Sequence, residues 1–105
     1  MDTSSFIYLI RSDDNLYKIG RTFDPVKRLK QLQTGSGKKL SLVYTLSVKN
    51  GVAAERHIHA IFSGQRIQGE WFRFTDNDMI LVKKIFKQLQ VNAVEQKKLE
   101  RMGLH

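Results

Sequence analysis

The sequence predicts a small α/β (α+β) domain with the element order β-β-α-β-α, followed by a short strand and a C-terminal helix. Two apolar runs flank a polar turn near the start, a third run alternates apolar and small polar residues, and helical stretches separate and follow them. The chain has 105 residues and 41% hydrophobic residues, which suits one globular domain. We expect this domain at residues 1–92 and a helical extension or tail at 93–105.

The first two strands are expected at Ser5–Arg11 and Leu16–Gly20, where aromatic and branched apolar residues cluster. The polar tetrapeptide between them favours a hairpin. Successive side chains of a strand point to opposite faces, so Lys18 and Gly20 share a face and Tyr17 lies on the other. Tyr8 shares its own face with Phe6 and Ile10. Gly20 ends the second strand at a point where the backbone could approach a ligand.

The first helix is predicted to begin at Pro25, with Asp24 as its N-cap. Three apolar residues at a spacing of three form its predicted buried stripe: Val26, Leu29 and Leu32. At about 100° per residue, Arg28 lies at the shoulder of that stripe, whereas Lys27 faces water.

A third strand is expected at Leu40–Val48 and should pair with the hairpin. A second helix follows from Val52 to about Ser63. Its predicted buried side consists of Ala54, Ile58, Ile61 and Phe62. Glu55 lies at the margin of that side, and His59 lies one turn further along the same flank.

The segment Gly69–Phe74 is expected to be a short strand or extended stretch whose aromatic residues close the core. Thr75 or Asp76 should cap a third helix. The apolar residues of this helix keep helical spacing: Met79, Val82, Ile85, Phe86 and Leu89. The pattern weakens beyond Asn92, so that Val94–Met102 is either a short helix or a loose tail.

The formal net charge of +8 indicates a polyanionic partner such as nucleic acid, although ribosomal or membrane-surface binding would give the same charge. Residues 18–39 hold seven cations and one anion. Five of these cations are expected to contact nucleic acid: Arg21, Lys27, Lys30, Lys38 and Lys39. The alternative is a basic segment that is merely a solvated face.

The chain has no cysteine, which excludes disulfides, thiolate metal sites and cysteine nucleophiles. The first residues lack the pattern of a signal peptide, and no apolar run is long enough to span a membrane. We therefore expect a protein that is intracellular, either cytoplasmic or nuclear, and not secreted.

Cleavage of a phosphodiester needs an activated water, a cation beside the phosphoryl oxygens and usually a metal held by a carboxylate. Asp13 and Asp14 lie in a turn, Asp24 serves as a cap, and Glu70 lies in a polar loop. Glu55 is thus the best candidate for a metal ligand, although a glutamate at a helix margin is more often simply solvated.

The pair His57 and His59 is not expected to bind zinc, because residues two apart on a helix do not face each other. Glu55 and His59, four apart, lie side by side and either share a site or only hydrogen-bond. Tyr8 and Tyr17 fit equally well as core residues with buried hydroxyl groups.

Four features follow one another in the chain: Phe6-Ile7-Tyr8, Lys18-Ile19-Gly20, Arg28, and a helix that carries Glu55. Their order and spacing resemble the GIY-YIG nuclease superfamily over residues 6–74. The resemblance extends to the phage-associated branch, which has Lys-Ile-Gly as its second motif and a Glu-x-x-x-His helix before Glu-Trp-Phe. The corresponding residues are Glu55, His59 and Glu70-Trp71-Phe72.

The resemblance implies a three-stranded antiparallel sheet flanked by helices and a metal-dependent endonuclease, with DNA favoured over RNA as substrate. It implies a single Mg²⁺ or Mn²⁺ ion held by Glu55. Tyr8, together with Tyr17 or Lys18, would orient or deprotonate the water. Arg28 would stabilise the charged phosphoryl group in the transition state.

Two departures leave the identity of the base open. Phe6 replaces the glycine of the first motif, and Lys18 replaces the second tyrosine. Tyr17 points to the opposite face unless a bulge intervenes, so Lys18 is the alternative group for holding the water or a phosphate. Two other functions stay open: a nucleic-acid-binding module that is catalytically weak or inactive, and a structural or protein-interaction domain. Targeting would come from the chain's own loops, a homodimer or a protein partner.

Overall fold

The computed structural model describes residues 5–103, apart from the side chain of Gln96. Residues 1–4, which bear on the expectation about a signal peptide, and residues 104–105 of the expected tail lie outside the described residues. The elements are β1 (Ser5–Ser12), β2 (Leu16–Thr22), α1 (Pro25–Thr34), β3 (Leu40–Val48), α2 (Gly51–Ile61), a 3₁₀ turn (Ser63–Gln65), β4 (Arg66–Gln68), β5 (Trp71–Arg73) and α3 (Asp76–Arg101). The predicted α+β class is confirmed. Among the described helices, none is long and apolar enough to cross a membrane.

The strands form one antiparallel sheet in the order β3-β1-β2-β5-β4. The expected sheet of three strands therefore needs correction, because the described part of the chain has five. The stretch expected to be short or extended provides β5, which pairs with β2, and β4 pairs with β5 in turn. The three exposed residues of β4 show too little alternation to predict a strand. These residues form a strand only because they pair with β5.

Each face of the sheet carries its own core, as the alternation in β1 predicts. On one face, Tyr8, Ile10 and Leu40 pack with Leu29 and Leu32 of α1. The other face packs against α2 and α3, and its core includes Ile7, Leu9, Ile19, Ile58, Phe72, Val82 and Phe86. The sheet therefore separates α1 from the other two helices.

The starts of α1 and α3 are capped as predicted, whereas α2 runs from Gly51 to Ile61 rather than from Val52 to about Ser63, and two apolar positions predicted to be buried are not. The Asp24 side chain accepts a hydrogen bond from the backbone N–H of Lys27, and Thr75 forms a capping box with Asp78. Val26 is 57% exposed because it lies in the first turn of α1, ahead of the leucines that reach the sheet. Ile61 is 40% exposed at the end of α2.

The C-terminal stretch expected to be a short helix or a loose tail is the continuation of α3, which runs unbroken to Arg101. Contacts with the rest of the domain accompany it. The Tyr44 hydroxyl donates a hydrogen bond of 2.8 Å to Gln90. Further along, Lys49 at the end of β3 forms an ion pair with Glu100.

Candidate active site

A cluster of polar side chains lies at the edge of β2, just beyond Lys18, which pairs with the first residue of β5, Trp71. Strand pairing between β2 and β5 covers Leu16 to Lys18, and the Ile19 N–H then donates to the Glu70 carbonyl at 3.2 Å. Five segments deliver side chains to this place. They are Tyr8 from β1, Lys18 from β2, Arg28 from α1, Glu55 from α2 and Glu70 from the turn between β4 and β5.

Tyr8 reaches this edge by lying across Gly20, its direct partner on β2. A Cβ atom added at Gly20 would lie 2.3 Å from the Tyr8 hydroxyl and 3.1 Å from Glu70 Oε2. The space beside Gly20, which the sequence suggested for a ligand, is thus filled by the tyrosine ring. The missing side chain lets the Tyr8 hydroxyl and the Glu70 carboxylate approach the same point.

The Tyr8 hydroxyl is buried and keeps its proton more tightly than a free tyrosine. Burial raises the pKa of Tyr8 above its ordinary value, although a hydrogen bond from Arg28 acts in the opposite direction. The neutral phenol is therefore the form present near neutral pH. With this raised pKa, Tyr8 can orient a water or a phosphoryl oxygen but is a poor proton acceptor.

Glu55 lies at the margin of the buried side of α2, as predicted, and forms an ion pair with Arg21. Arg21 Nε is 3.5 Å from Glu55 Oε2. Burial raises the pKa of Glu55 to about 7, and a hydrogen bond with the Glu70 carboxyl acts in the same direction, against the Arg21 charge. The two carboxyl groups are thus close enough to share a proton.

Glu70 is the member of the cluster that the sequence did not single out. Its Oε2 atom lies 3.2 Å from Lys18 Nζ, and Lys18 also lies over the ring of Trp71, 5.3 Å from its centroid. Burial alone would raise the pKa of Glu70, but the hydrogen bond from Glu55 and the Lys18 charge outweigh it and lower the pKa. The available signal was the tripeptide Glu70-Trp71-Phe72, which resembled a family motif without indicating a role for its acid.

His59 joins the cluster but is engaged at both ring nitrogens. Its Nε2 lies 2.8 Å from the Ile19 carbonyl oxygen, and its Nδ1 lies 3.1 Å from Arg66 Nη2. These partners assign the tautomer that donates from Nε2 and accepts at Nδ1. Glu55 Oε1, at 3.9 Å, lies beyond hydrogen-bond distance. Through its hydrogen bond to the Ile19 carbonyl, His59 links α2 to the edge of β2.

The comparisons with known proteins place this architecture in a family. A family model described as T5orf172 domain matches residues 5–93, which cover every element from β1 into α3. The chain belongs to the T5orf172 domain family. No curated protein and no solved structure matches the chain.

The T5orf172 domain brings most of the sequence-predicted site residues together, but not all. Tyr8, Lys18, Arg28, Glu55 and His59 lie at the β2 edge. Tyr17 points to the opposite face, where its ring packs 5.5 Å from that of Phe74. Strand alternation explains the separation, because Tyr17 pairs with Phe72 of β5 without a bulge.

The cations expected to contact nucleic acid have two different placements in the T5orf172 domain. Arg21 belongs to the site itself through its ion pair with Glu55. The remaining four are exposed on α1 and on the loop that follows it: Lys27, Lys30, Lys38 and Lys39. Gln33 holds that loop, since its side chain bonds to the Lys38 carbonyl and the Leu40 N–H.

Glu55 and Glu70 are the two carboxylates of the site that could hold one hard divalent cation. Their carboxyl groups share a hydrogen bond, and the shared proton prevents repulsion between two negative charges. A divalent cation bound between them could replace that proton. Within residues 5–103, no group of three or more acidic or histidine side chains forms a complete metal cage. Mg²⁺ commonly takes one or two protein carboxylates and fills its other positions with water and phosphate oxygens.

Proposed function

We propose that this chain is a divalent-metal-dependent endonuclease of the GIY-YIG type that hydrolyses phosphodiester bonds of nucleic acid, DNA in preference to RNA. The observation that carries the proposal is the convergence of Tyr8, Arg28 and Glu55 at one open sheet edge. Three separate elements contribute these residues. Their order in the chain is also part of the resemblance to the GIY-YIG nuclease superfamily. Membership in the T5orf172 domain family suggests a nucleic-acid-related role, and the +8 net charge favours a polyanion as substrate.

Each side chain then has a role that follows from its surroundings. Glu55, with Glu70 beside it, would hold a single Mg²⁺ or Mn²⁺ ion, which would supply charge stabilisation and activation of the attacking water. Arg28 donates to the Tyr8 hydroxyl and offsets charge on the phosphoryl oxygens. Tyr8, as the neutral phenol, orients the attacking water. Lys18 holds the Glu70 carboxylate in place through their ion pair.

Plasmid nicking in Mg²⁺ or Mn²⁺ tests the proposal. We expect wild-type protein to cleave and Arg28→Ala or Glu55→Ala to lose about 10² to 10³ in rate, the typical cost of removing an electrostatic stabiliser. Lys83→Ala is the control for the loss of a positive charge, because Lys83 is an exposed cation on α3 and belongs neither to the polar cluster nor to the basic segment 18–39. An inert wild type, or variants at Arg28 and Glu55 as active as Lys83→Ala, would contradict the proposal.

A nucleic-acid-binding module without catalysis is the second candidate. Two observations favour it: Lys18 stands where the second motif of the wider GIY-YIG superfamily has tyrosine, and Arg21 already pairs with Glu55. Such a module would bind oligonucleotides with a strong dependence on salt and would cleave none of them in either metal.

A further inference from the structure

An open groove begins where the candidate active site ends. Arg21 connects the two, since its Nε atom faces Glu55 while its side-chain stem lies against Gly51 at the start of α2. A Cβ atom at Gly51 would lie 2.6 Å from Arg21 Cδ, so glycine is what allows this contact. The groove has a volume of about 670 Å³, within the range of small-ligand sites.

The groove combines an exposed aromatic ring with cations. Phe23, which follows β2, is 74% exposed, and Val52 of α2, 48% exposed, also lines the groove. Arg21 and Lys49 supply positive charge, with Lys49 also in an ion pair with Glu100. No acidic side chain is among the described residues that line the groove. This combination fits a polyanion that carries flat rings, which is the chemistry of nucleic acid.

The packing of α1 does not account for the exposed Phe23 ring. Phe23 directly precedes the N-cap Asp24, the position from which an apolar residue often packs against the fourth residue of the helix. That fourth residue is Arg28, which is directed instead to the Tyr8 hydroxyl. The ring is therefore not used as a hydrophobic staple and stays available to a partner.

We propose that this groove is a stacking subsite for one unpaired nucleotide beside the cleaved phosphodiester, with the base on Phe23 and its phosphate beside Arg21. The proposal rests on the proposed function and names the substrate class, a nucleic acid with an unpaired or single-stranded nucleotide next to the cleavage position. Bases within a duplex are stacked on each other on both faces. Only a base that has left that stack can lie on the ring.

A binding measurement without metal tests the subsite independently of cleavage. The probe is a short DNA duplex with a single-stranded overhang, with an abasic nucleotide placed at each overhang position in turn and EDTA present. We expect Phe23→Ala to weaken binding about tenfold, Phe23→Trp to preserve it, and one abasic position to cause a similar loss in wild type. At that position, the abasic nucleotide should not weaken the binding of the Phe23→Ala variant any further, because the ring that the base stacks on is already absent. Ile80→Ala, another exposed apolar position but on α3, is the control.

Three results would overturn the subsite: equal binding by wild type and Phe23→Ala, independent losses from the ring and the base, or a Phe23→Ala effect confined to self-association of the chain. The outcome is separable from that of the proposed function. If Phe23 and one base are coupled in binding but the protein does not nick DNA, the proposed nuclease function is wrong and the stacking subsite stands. If the protein nicks DNA normally but that coupling is absent, the stacking subsite is wrong and the nuclease function stands.

Discussion

Gly20 shows how a single position determines the geometry of the site. Tyr8 and Gly20 are cross-strand partners, and the ring occupies the volume that any other side chain at position 20 would need. The sequence suggested that Gly20 mattered for a close approach but could not show that the approaching group belonged to the chain itself. That information lies in the pairing register of β1 and β2.

We predict that Gly20→Ala destabilises the fold by about 1–3 kcal/mol, the usual cost of overpacking, and reduces nicking because the Tyr8 hydroxyl is displaced. Urea unfolding and plasmid nicking measure the two effects. Gly37→Ala is the control, since a Cβ there would meet nothing within 4 Å. It should change stability by less than about 0.5 kcal/mol. Equal stability and activity of the two variants would contradict the packing described for Tyr8.

The pKa of Glu55 predicts how metal binding depends on pH. Because that pKa is raised to about 7, the metal-free folded protein holds a proton that an unfolded glutamate has already released, and it loses stability as pH rises from about 4.5 through 7. A metal ion must displace the same proton. Mn²⁺ should therefore raise the melting temperature more at about pH 8 than at about pH 6. Glu55→Gln should show neither effect, and a pH-independent Mn²⁺ shift would contradict this assignment.

Part of the site was predictable because it depends on local geometry. Alternation along β2 separates Lys18 from Tyr17, and the angular position of Arg28 on α1 follows from helical periodicity. Neither the Glu55–Glu70 contact nor the ion pair between Arg21 and Glu55 was predictable. The position of Glu70 depends on pairing between β2 and β5, which are about fifty residues apart in the chain. No local pattern encodes such a contact.

At the scale of elements, α2 matters because it carries Glu55 to the sheet. Ile58 is fully buried in the core, and His59 bonds to the Ile19 carbonyl on β2. The caps of α1 and α3 were predicted correctly, since capping depends on a few adjacent residues. β4 was missed because its three residues form a strand only by pairing with β5.

We predict that His59→Ala costs about 1–3 kcal/mol of stability, because the Ile19 carbonyl loses its partner. It should also lower nicking by moving Glu55. His57→Ala is a matched control on the same helix, where His57 is exposed, and should stay within about 0.5 kcal/mol of wild type. Urea unfolding of both variants checks this. A loss at His57 as large as that at His59 would contradict the role assigned to His59.

For the whole molecule, the sheet places the two halves of the site on opposite faces and joins them at an edge. Tyr8 and Arg28 belong to the face under α1, whereas Glu55 and His59 come from α2 on the other face. They meet because β5 pairs with β2 only from Leu16 to Lys18, which leaves the edge of β2 beyond Lys18 open between them. The exposed lysines of α1 and its following loop add positive charge on the α1 side. The proposed nucleic-acid substrate would reach the edge along this basic surface.

A crystal of the protein soaked in Mn²⁺ tests most directly whether this edge is a metal-dependent active site. We predict an anomalous difference peak within coordination distance of a Glu55 carboxylate oxygen, with Glu70 next to it and Arg21 moved away from Glu55. Glu55→Gln crystals soaked in the same way should lack the peak. Wild-type crystals with the Arg21–Glu55 ion pair intact, and with Mn²⁺ absent from Glu55 or bound elsewhere, would contradict it.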